Sequence, residues 1–301
     1  MKIGNVKIEG KYVLAPIADI TDVAYRVLCR RYGASLVFSE MVSINALIRN
    51  NKATLKLTKI AEEERPVAIQ LFGTKLEYFA KAVKLLDSDI IDLNLGCPAT
   101  NILKQGAGGA LLIRPGKIKE IIETLVKNTD KPVTVKMRSG MKKVNAVEIA
   151  RIAEEAGASA ITLHPRLVVQ GYSGKADWSL IKEVKENVSI PVIGNGDVVD
   201  RASAEKMLKE TKCDLVMIGR AAIGDPSIFS RLVNEKEKPS YEENIKLLFD
   251  YYELAKQYRV YNFDAFKRRA MDFTKSYPNS TRTRLKMAKL GTIEQIKEIL
   301  V

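Results

Sequence analysis

The sequence predicts an α/β protein, a closed (β/α)8 or TIM barrel followed by an all-helical C-terminal domain. Short apolar runs rich in Val, Ile and Leu alternate with amphipathic stretches of helical spacing over most of the chain. Near Pro239 this alternation stops, and helical periodicity alone continues to the C-terminus. A length of 301 residues exceeds the ~100–200 residues usual for one domain, so it allows a barrel and a smaller unit.

Eight apolar runs mark the expected barrel strands. Runs that are apolar on both faces are typical of parallel strands covered by helices. Eight such units over about 230 residues match the size of a (β/α)8 barrel, and an open doubly wound sheet is the weaker alternative. The runs cover residues 12–17, 35–38, 67–71, 90–93, 133–137, 160–164, 191–194 and 214–219.

The two ends of the barrel segment carry further signals. Residues 3–6 and 8–11 have the turn chemistry of a small hairpin, which we expect to plug the floor of the barrel. A polar stretch over residues 234–240 contains Pro239 and suits a linker. We therefore predict a barrel domain over residues 1–238 and a helical domain over residues 239–301.

The charge balance indicates a polyanionic partner. The chain carries a formal net charge of +13, which favours nucleic acid over a membrane surface. The most basic segment, residues 267–289, holds eight Lys or Arg residues against Asp272 alone. A solvated basic face over an aromatic core is the alternative interpretation of this segment.

The composition also bounds the class of protein. Hydrophobic residues at 46% and charged residues at 28% are typical of a globular chain and exclude disorder for most of it. No apolar run approaches the ~18–20 residues of a membrane span, and the first residues lack an apolar signal core. We therefore expect a cytoplasmic protein with no membrane partner, and we favour a monomer.

Metal chemistry is not expected. The three cysteines, Cys29, Cys97 and Cys213, are far apart with no C-x-x-C pair, so neither a zinc ribbon nor a disulfide framework is indicated. The single histidine, His164, excludes an H-E-x-x-H zinc site.

Polar residues close the apolar runs, and in a barrel they would meet at one rim. Glycines after the seventh and eighth runs, such as Gly196 and Gly219, would let backbone N–H groups approach a phosphate, and Arg220 adds charge. Lys136 could stabilise the negative charge of a reduced flavin, and Gln70 suits a flavin's pyrimidine edge. The alternative is that Lys136 pairs with a rim carboxylate, either Glu40 or Asp92.

Cys97 is the most informative single residue. It lies between Gly96 and Pro98 in a glycine-rich loop that continues to Gly109, so its thiol could be a nucleophile or a proton donor. Cys29 and Cys213 fall in a helix and before a strand, where we expect structural roles.

His164 closes the sixth run and is followed by Arg166 and a polar loop that contains Gln170. A hydrogen-bonded rim histidine is the alternative to a role in binding. The loop predicts a segment that covers the site.

These motifs together resemble the tRNA-dihydrouridine synthases over residues 12–225, with the helical tail in the place of that family's tRNA-binding domain. The segment around Cys97 is the most specific. The matching motifs are Ala15-Pro16, Ser39-Glu40-Met41, Gln70-Leu-Phe-Gly73, Asp92-Leu-Asn-Leu-Gly-Cys-Pro98, Lys136-Met-Arg138, His164-Pro-Arg166, Gln170-Gly-Tyr-Ser-Gly174 and Gly194-Asn-Gly-Asp197.

The resemblance implies an FMN enzyme that reduces a uridine of tRNA to 5,6-dihydrouridine, with NADPH as the electron donor. Hydride would pass from flavin nitrogen 5 to carbon 6 of uracil, and Cys97 would donate the proton to carbon 5. The flavin-binding residues would be Ala15, Pro16, Gln70, Lys136, His164, Asn195, Gly196, Asp197, Gly219 and Arg220. The target base would be held by Asn94, Arg166 and Gln170, and tRNA phosphates by Lys267, Arg268 and Arg269.

Two other classes of function remain open at this point. One is a flavin barrel that acts on a free pyrimidine, similar to dihydroorotate dehydrogenase, which would need no basic tail. The other is a non-catalytic RNA-binding protein that has lost its flavin chemistry.

Overall fold

A computed structural model describes residues 1–275 and 277–300. Its strands are short and, apart from the first two, parallel to their neighbours. They are β1 (Lys2–Ile3), β2 (Val6–Lys7), β3 (Tyr12–Leu14), β4 (Val37–Phe38), β5 (Val42–Ser43), β6 (Val67–Phe72), β7 (Ile90–Leu95), β8 (Val133–Gly140), β9 (Ala160–Leu167), β10 (Val192–Asn195) and β11 (Leu215–Ile218).

The parallel strands form a barrel in the order β3-β11-β10-β9-β8-β7-β6-β4, with β5 pairing with β6 beyond β4. Two backbone hydrogen bonds join the ends of this order: Leu14 N–H donates to Leu36 O at 2.9 Å, and Ser35 N–H donates to Tyr12 O at 2.8 Å. The eight-stranded barrel predicted from the sequence is therefore confirmed, and the open sheet is wrong.

Helices separate the strands and cover the barrel. Each of the longer ones buries one apolar stripe, as Ile118, Ile121, Ile122 and Leu125 do in α6. The helices are α1 (Val23–Arg31), α2 (Ile44–Leu47), α3 (Lys52–Leu57), α4 (Leu76–Ala82), α5 (Thr100–Leu103), α6 (Pro115–Asn128), α7 (Ala146–Glu155), α8 (Ser179–Asn187), α9 (Arg201–Thr211), α10 (Ile228–Asn234), α11 (Tyr241–Gln257), α12 (Phe263–Thr274), α13 (Ser280–Met287) and α14 (Ile293–Leu300).

The N-terminal hairpin closes the floor of the barrel, as the sequence predicts. Its strands β1 and β2 pair antiparallel, with Ile3 opposite Val6. Ile3 and Ile8 are buried in one apolar cluster with inward-facing strand residues such as Ile90 and Ile193. The barrel therefore opens only at the other end, where the strands have their carboxyl termini.

The helical region packs directly on the barrel. The aromatic helix α11 lies against α1, where the Tyr251 hydroxyl donates to Asp22 Oδ2 at 2.8 Å. Asn244 Nδ2 donates both to Gly224 O at 3.1 Å, after the last barrel strand, and to Phe273 O in α12 at 2.6 Å. The change from β/α units to helices falls between α10 and α11, and the domain boundary at residues 238/239 stays a prediction.

In the part of the chain that the structure describes, no helix combines the length and the apolarity that a membrane span requires.

The floor plug gives a test of the fold. Ile3→Ala should lower the free energy of unfolding by about 2–4 kcal/mol, because it leaves a cavity among buried strand residues. Ile113→Ala is the matched control, because Ile113 is 68% exposed and its loss should cost less than about 0.5 kcal/mol. Urea unfolding followed by circular dichroism measures both, and equal losses would contradict the plugged floor.

Candidate functional site

A cleft of about 720 Å³ opens at the carboxyl ends of the barrel strands. Side chains from the strand ends and the following loops converge on it, as the sequence predicts. The predicted site residues that line it are Ala15, Pro16, Gln70, Asn94, Cys97, Lys136, His164, Asn195, Gly196, Asp197, Gly219 and Arg220.

A chain of buried amides crosses one side of the cleft. Gln70 Nε2 donates to Asp92 Oδ2, and Asn94 Nδ2 donates to Gln70 Oε1, each at 2.7 Å. Asp92 also accepts from the Thr134 hydroxyl at 2.6 Å. Burial raises the pKa of Asp92 to about 7, although its hydrogen bonds and the charge of Lys136 act in the opposite direction.

The loop that carries Cys97 is held at both sides of the residue. Its N–H donates to Asn94 Oδ1 at 2.9 Å, and its carbonyl oxygen accepts from Gly109 N–H at 3.1 Å. A Cβ on Gly109 would lie 2.5 Å from Val168 Cγ2 and 3.1 Å from that same oxygen, so only glycine fits. Cys97 is half-buried and lines the cleft, whereas Cys29 and Cys213 are buried, in agreement with the structural roles expected for them.

Lys136 contributes an amine to the lining of the cleft. Burial lowers its pKa to about 8, which the charge of Asp92 partly offsets. Within residues 1–275 and 277–300, Lys136 has no ion pair within 4.0 Å, so the predicted alternative of a direct pair with Glu40 or Asp92 is not what the structure shows. Glu40 instead accepts from Asp19 N–H at 2.6 Å. The Lys136 amine therefore remains available to a ligand.

His164 is a neutral imidazole with a fixed tautomer. Burial, followed by the charges of Lys136, Arg138 and Arg166, lowers its pKa to about 2. Arg166 Nη1 lies 3.1 Å from His164 Nε2, and because a guanidinium can only donate, Nε2 must accept. The ring proton is therefore on Nδ1, and His164 can offer a hydrogen bond but no positive charge.

Asp197 joins two arginines at the rim. It accepts from Arg166 Nη2 and from Arg220 Nη2, both at 2.8 Å. Burial opposes its ionisation, but these contacts and the N–H of Ala176 hold the pKa of Asp197 below its usual range. Asp197 thus orients Arg220, which is 53% exposed at the mouth.

Tyr172 lines the cleft and was not predicted as a site residue. Its ring lies between two guanidinium groups, 5.4 Å from Arg138 Cζ and 4.9 Å from Arg220 Cζ, and cation–π attraction holds it over the mouth. The sequence feature that could have identified Tyr172 is its position in the polar loop after Arg166. Arg138 and Met41, which also line the cleft, close predicted strands and could have been found in the same way.

Two residues predicted to hold the base are not among those that line the cleft. Arg166 is 2% exposed and spends its donors on His164, Asp197 and the carbonyl oxygens of Ser173 and Gly174. Gln170 accepts from Leu167 N–H at 3.2 Å and donates to Ser173 O at 2.8 Å. In the structure both shape the loop that covers the site instead of lining the cleft.

The predicted tRNA-binding residues of α12 do not form one surface. Arg268 is exposed, and Lys267 is half-buried and donates to Leu290 O at 3.1 Å. Arg269 is 2% exposed, and its guanidinium lies 4.8 Å from the Tyr25 ring and donates to the carbonyl oxygens of Asp19 and Ile20. The expectation that Arg269 binds phosphate is therefore corrected: it joins the helical region to the barrel.

Among the described residues, no group of three or more His, Cys, Asp or Glu side chains could hold a metal ion.

Fold and cleft together define a (β/α)8 barrel with a cofactor-sized site at its open end. Solved structures share this fold: morphinone reductase aligns with a TM-score of 0.60 and 12% identity over 80% of this chain and 90% of its own. Histamine dehydrogenase from Rhizobium sp. 4-9 aligns with a TM-score of 0.61 and 15% identity, over 84% of this chain and 50% of its own.

Sequence comparison is more specific. The family model for dihydrouridine synthase (Dus) matches residues 13–295. A probable tRNA-dihydrouridine synthase of Rickettsia bellii is 38% identical over 86% of this chain and 83% of its own length. The tRNA-dihydrouridine synthase B of Pasteurella multocida is 39% identical over 80% of this chain and 74% of its own. The chain belongs to the dihydrouridine synthase family, as its motifs predict.

The environment of Lys136 can be tested by titration. Labelling of its amine by acetic anhydride should reach half its maximum near pH 8, because burial disfavours the ammonium, which is present below that pH and lost above it. Asp92→Asn should move the half-labelling point to lower pH, because the Asp92 charge stabilises the ammonium. The exposed Lys119 provides the internal reference for reagent reactivity. Half-labelling of Lys136 near the ordinary value of about 10 would contradict this account.

Proposed function

We propose that the protein is an FMN-dependent oxidoreductase that reduces a uridine of tRNA to 5,6-dihydrouridine, with NADPH as the reductant. The observation that carries the proposal is Cys97, which is half-buried, has its backbone N–H held by Asn94, and lines a cleft that Gln70 and Lys136 also line. The family of the chain supports the same reaction.

The residues of the cleft fit FMN. Gln70 retains an amide hydrogen and a lone pair for the pyrimidine edge of the ring, and Lys136 offers a cation beside it. A Cβ on Gly219 would meet only Ala15 Cβ, at 3.7 Å, so packing does not require glycine there, and its backbone stays open for a phosphate near Arg220. When bound, FMN supplies the hydride.

Smaller contributions complete the proposed cofactor site. Ala15 and Pro16 form a wall of the cleft, Asn195 is held by its bond to Met217 O at 2.8 Å, and His164 offers its Nδ1 proton. Gly196 keeps the backbone close to His164, whose ring carbon Cδ2 would lie 3.0 Å from an added Cβ. Asp197 acts by orienting Arg220.

Cys97 is the proposed general acid, which gives its thiol proton to carbon 5 of the uracil. His164 is a poor candidate for this step because its imidazole is neutral at physiological pH. Asn94 would contact the base, whereas Arg166 and Gln170 would act through the loop that they order.

The helical region is the proposed grip on tRNA phosphates. Arg269 binds the carbonyl oxygens of Asp19 and Ile20, just after the segment of Ala15 to Ala18 that lines the cleft, so α12 lies beside the mouth. Exposed cations of the helical region, among them Arg268, Arg282 and Lys286, would hold a folded tRNA while its target base leaves the stack. A tRNA substrate agrees with the predicted cytoplasmic location.

Removal of the thiol tests the chemistry. Cys97→Ala should retain bound flavin and NADPH-driven flavin reduction, while the rate of dihydrouridine formation falls by more than ~10²-fold, because the general acid is lost. Nucleoside mass spectrometry of tRNA during the reaction measures this rate. Cys213→Ala, at a buried cysteine that does not line the cleft, is the control and should form product at the wild-type rate. Unchanged product formation in Cys97→Ala would refute the proton-donor role.

Neutralisation of the basic surface tests the partner. The triple variant Arg268→Ala, Arg282→Ala and Lys286→Ala should bind tRNA more weakly, and the negative slope of log K against log salt should become shallower by ~0.7–0.9 for each lost phosphate contact. Filter binding over a salt series measures the slope. Lys84→Ala, Lys119→Ala and Lys127→Ala together, at exposed lysines of the barrel, are the charge-matched control. An equal change in both triple variants would assign binding to net charge alone.

A further inference from the structure

Asp92 is completely buried and does not line the cleft, yet it begins a hydrogen-bond chain that ends at Cys97. The chain runs from the Asp92 carboxylate through the side-chain amides of Gln70 and Asn94. Asn94 Oδ1 then accepts from the backbone N–H groups of Gly96, at 3.1 Å, and Cys97, at 2.9 Å. One buried carboxylate is thus linked to the loop that carries the thiol.

Both ends of this chain impose the same direction. When ionised, the Asp92 carboxylate only accepts, so Gln70 must turn its Nε2 toward Asp92 and its Oε1 toward Asn94. At the other end the backbone N–H groups only donate, so Asn94 must turn its Oδ1 toward them. Side-chain amides can rotate by half a turn at little intrinsic cost, and here the carboxylate and the two backbone N–H groups together remove that freedom.

If the side-chain amides of Gln70 and Asn94 were both rotated by half a turn, the Asn94 NH2 group would face two backbone N–H donors. The N–H groups of Gly96 and Cys97, which belong to half-buried residues, would then lose their acceptor, and an unpaired N–H is unfavourable there. The loop would move to regain partners. The Gln70 edge that faces the cleft would exchange donor for acceptor at the same time.

We infer that Asp92 is a positioning residue: by accepting from Gln70 it holds the amide chain in the direction that the backbone N–H groups also require, and thereby stabilises both the place of the Cys97 loop and the polar edge offered to a bound ligand. Its effect on turnover rests on the proposed function, whereas its effect on the Cys97 loop does not. Thr134 supports it by donating to the other carboxylate oxygen.

Two substitutions of Asp92 separate bond direction from charge. Asp92→Asn can still turn its Oδ1 toward Gln70 and its amide toward the Thr134 oxygen, so the direction survives and the charge is lost. Asp92→Leu keeps the branched shape and the number of side-chain heavy atoms but offers Gln70 no acceptor. Thermal melts and the flavin content of each purified holoenzyme show which variants are folded.

Displacement of the Cys97 loop is measured by the rate at which iodoacetamide alkylates Cys97, since the other two cysteines are buried. Asp92→Leu should change the alkylation rate of the holoenzyme by at least about fivefold, because this is the smallest effect expected from the loss of one buried hydrogen bond. Asp92→Asn should change it by less than about threefold.

In single-turnover reduction of tRNA, Asp92→Leu should be slower by at least about tenfold at saturating tRNA, with Asp92→Asn restoring most of the rate. If Asp92→Leu does not fold, Thr134→Val replaces it and should shift the alkylation rate in a measurable, smaller step.

The outcomes distinguish the positioning role of Asp92 from the proposed function. Wild-type alkylation in Asp92→Leu, or in Thr134→Val when that variant takes its place, would overturn the inference, and so would equal impairment of the Leu and Asn variants, which would make charge the cause. If the wild-type enzyme reduces no tRNA but the alkylation contrast holds, the proposed function fails and the positioning role stands.

Discussion

Closure of the barrel determines where the side chains of the site can lie. The backbone bond from Leu14 to Leu36 completes a ring in which alternate strand residues point inward. The inward residues form layers from the floor to the mouth. The plugged floor holds apolar residues such as Ile90, Ile193 and Leu215, the middle holds Gln70, Asp92 and Thr134, and the mouth holds Asn94, Lys136, His164 and Asn195.

This layering determines the electrostatics of the cleft. A carboxylate and an amine, Asp92 and Lys136, lie in surroundings that disfavour both charges, so their pKa values approach each other at about 7 and about 8. His164 lies among cations and stays neutral. The mouth therefore offers cations and N–H donors to an anionic or carbonyl-rich ligand, which is the chemistry that a flavin phosphate and a uracil present.

The sequence predicts the parts of the site that follow from strand periodicity. Gln70, Lys136 and His164 close apolar runs, and a closed barrel leaves such residues one place to meet. Cys97 could be found because glycines surround it, and the approach of Gly109 to Val168 shows why they are needed.

Strand periodicity does not predict which charged side chains are buried or which groups they form hydrogen bonds with. Counting charges put Arg269 on a basic surface, but tertiary packing places its guanidinium against Tyr25 between the helical region and the barrel. Arg166 and Gln170 follow the strand end as binding residues would, and only the folded loop shows that their donors are already used. The direction of the hydrogen-bond chain from Asp92 likewise depends on contacts between strands, and the periodicity of the sequence does not predict these contacts.

If the cleft reduces a base of tRNA, the product carries two additional hydrogen atoms. Fragment-mapped mass spectrometry of tRNA, before and after incubation with the holoenzyme and NADPH, measures this change. We expect a gain of two hydrogen atoms confined to a uridine of tRNA. NADPH consumption that leaves every tRNA fragment at its original mass would contradict it.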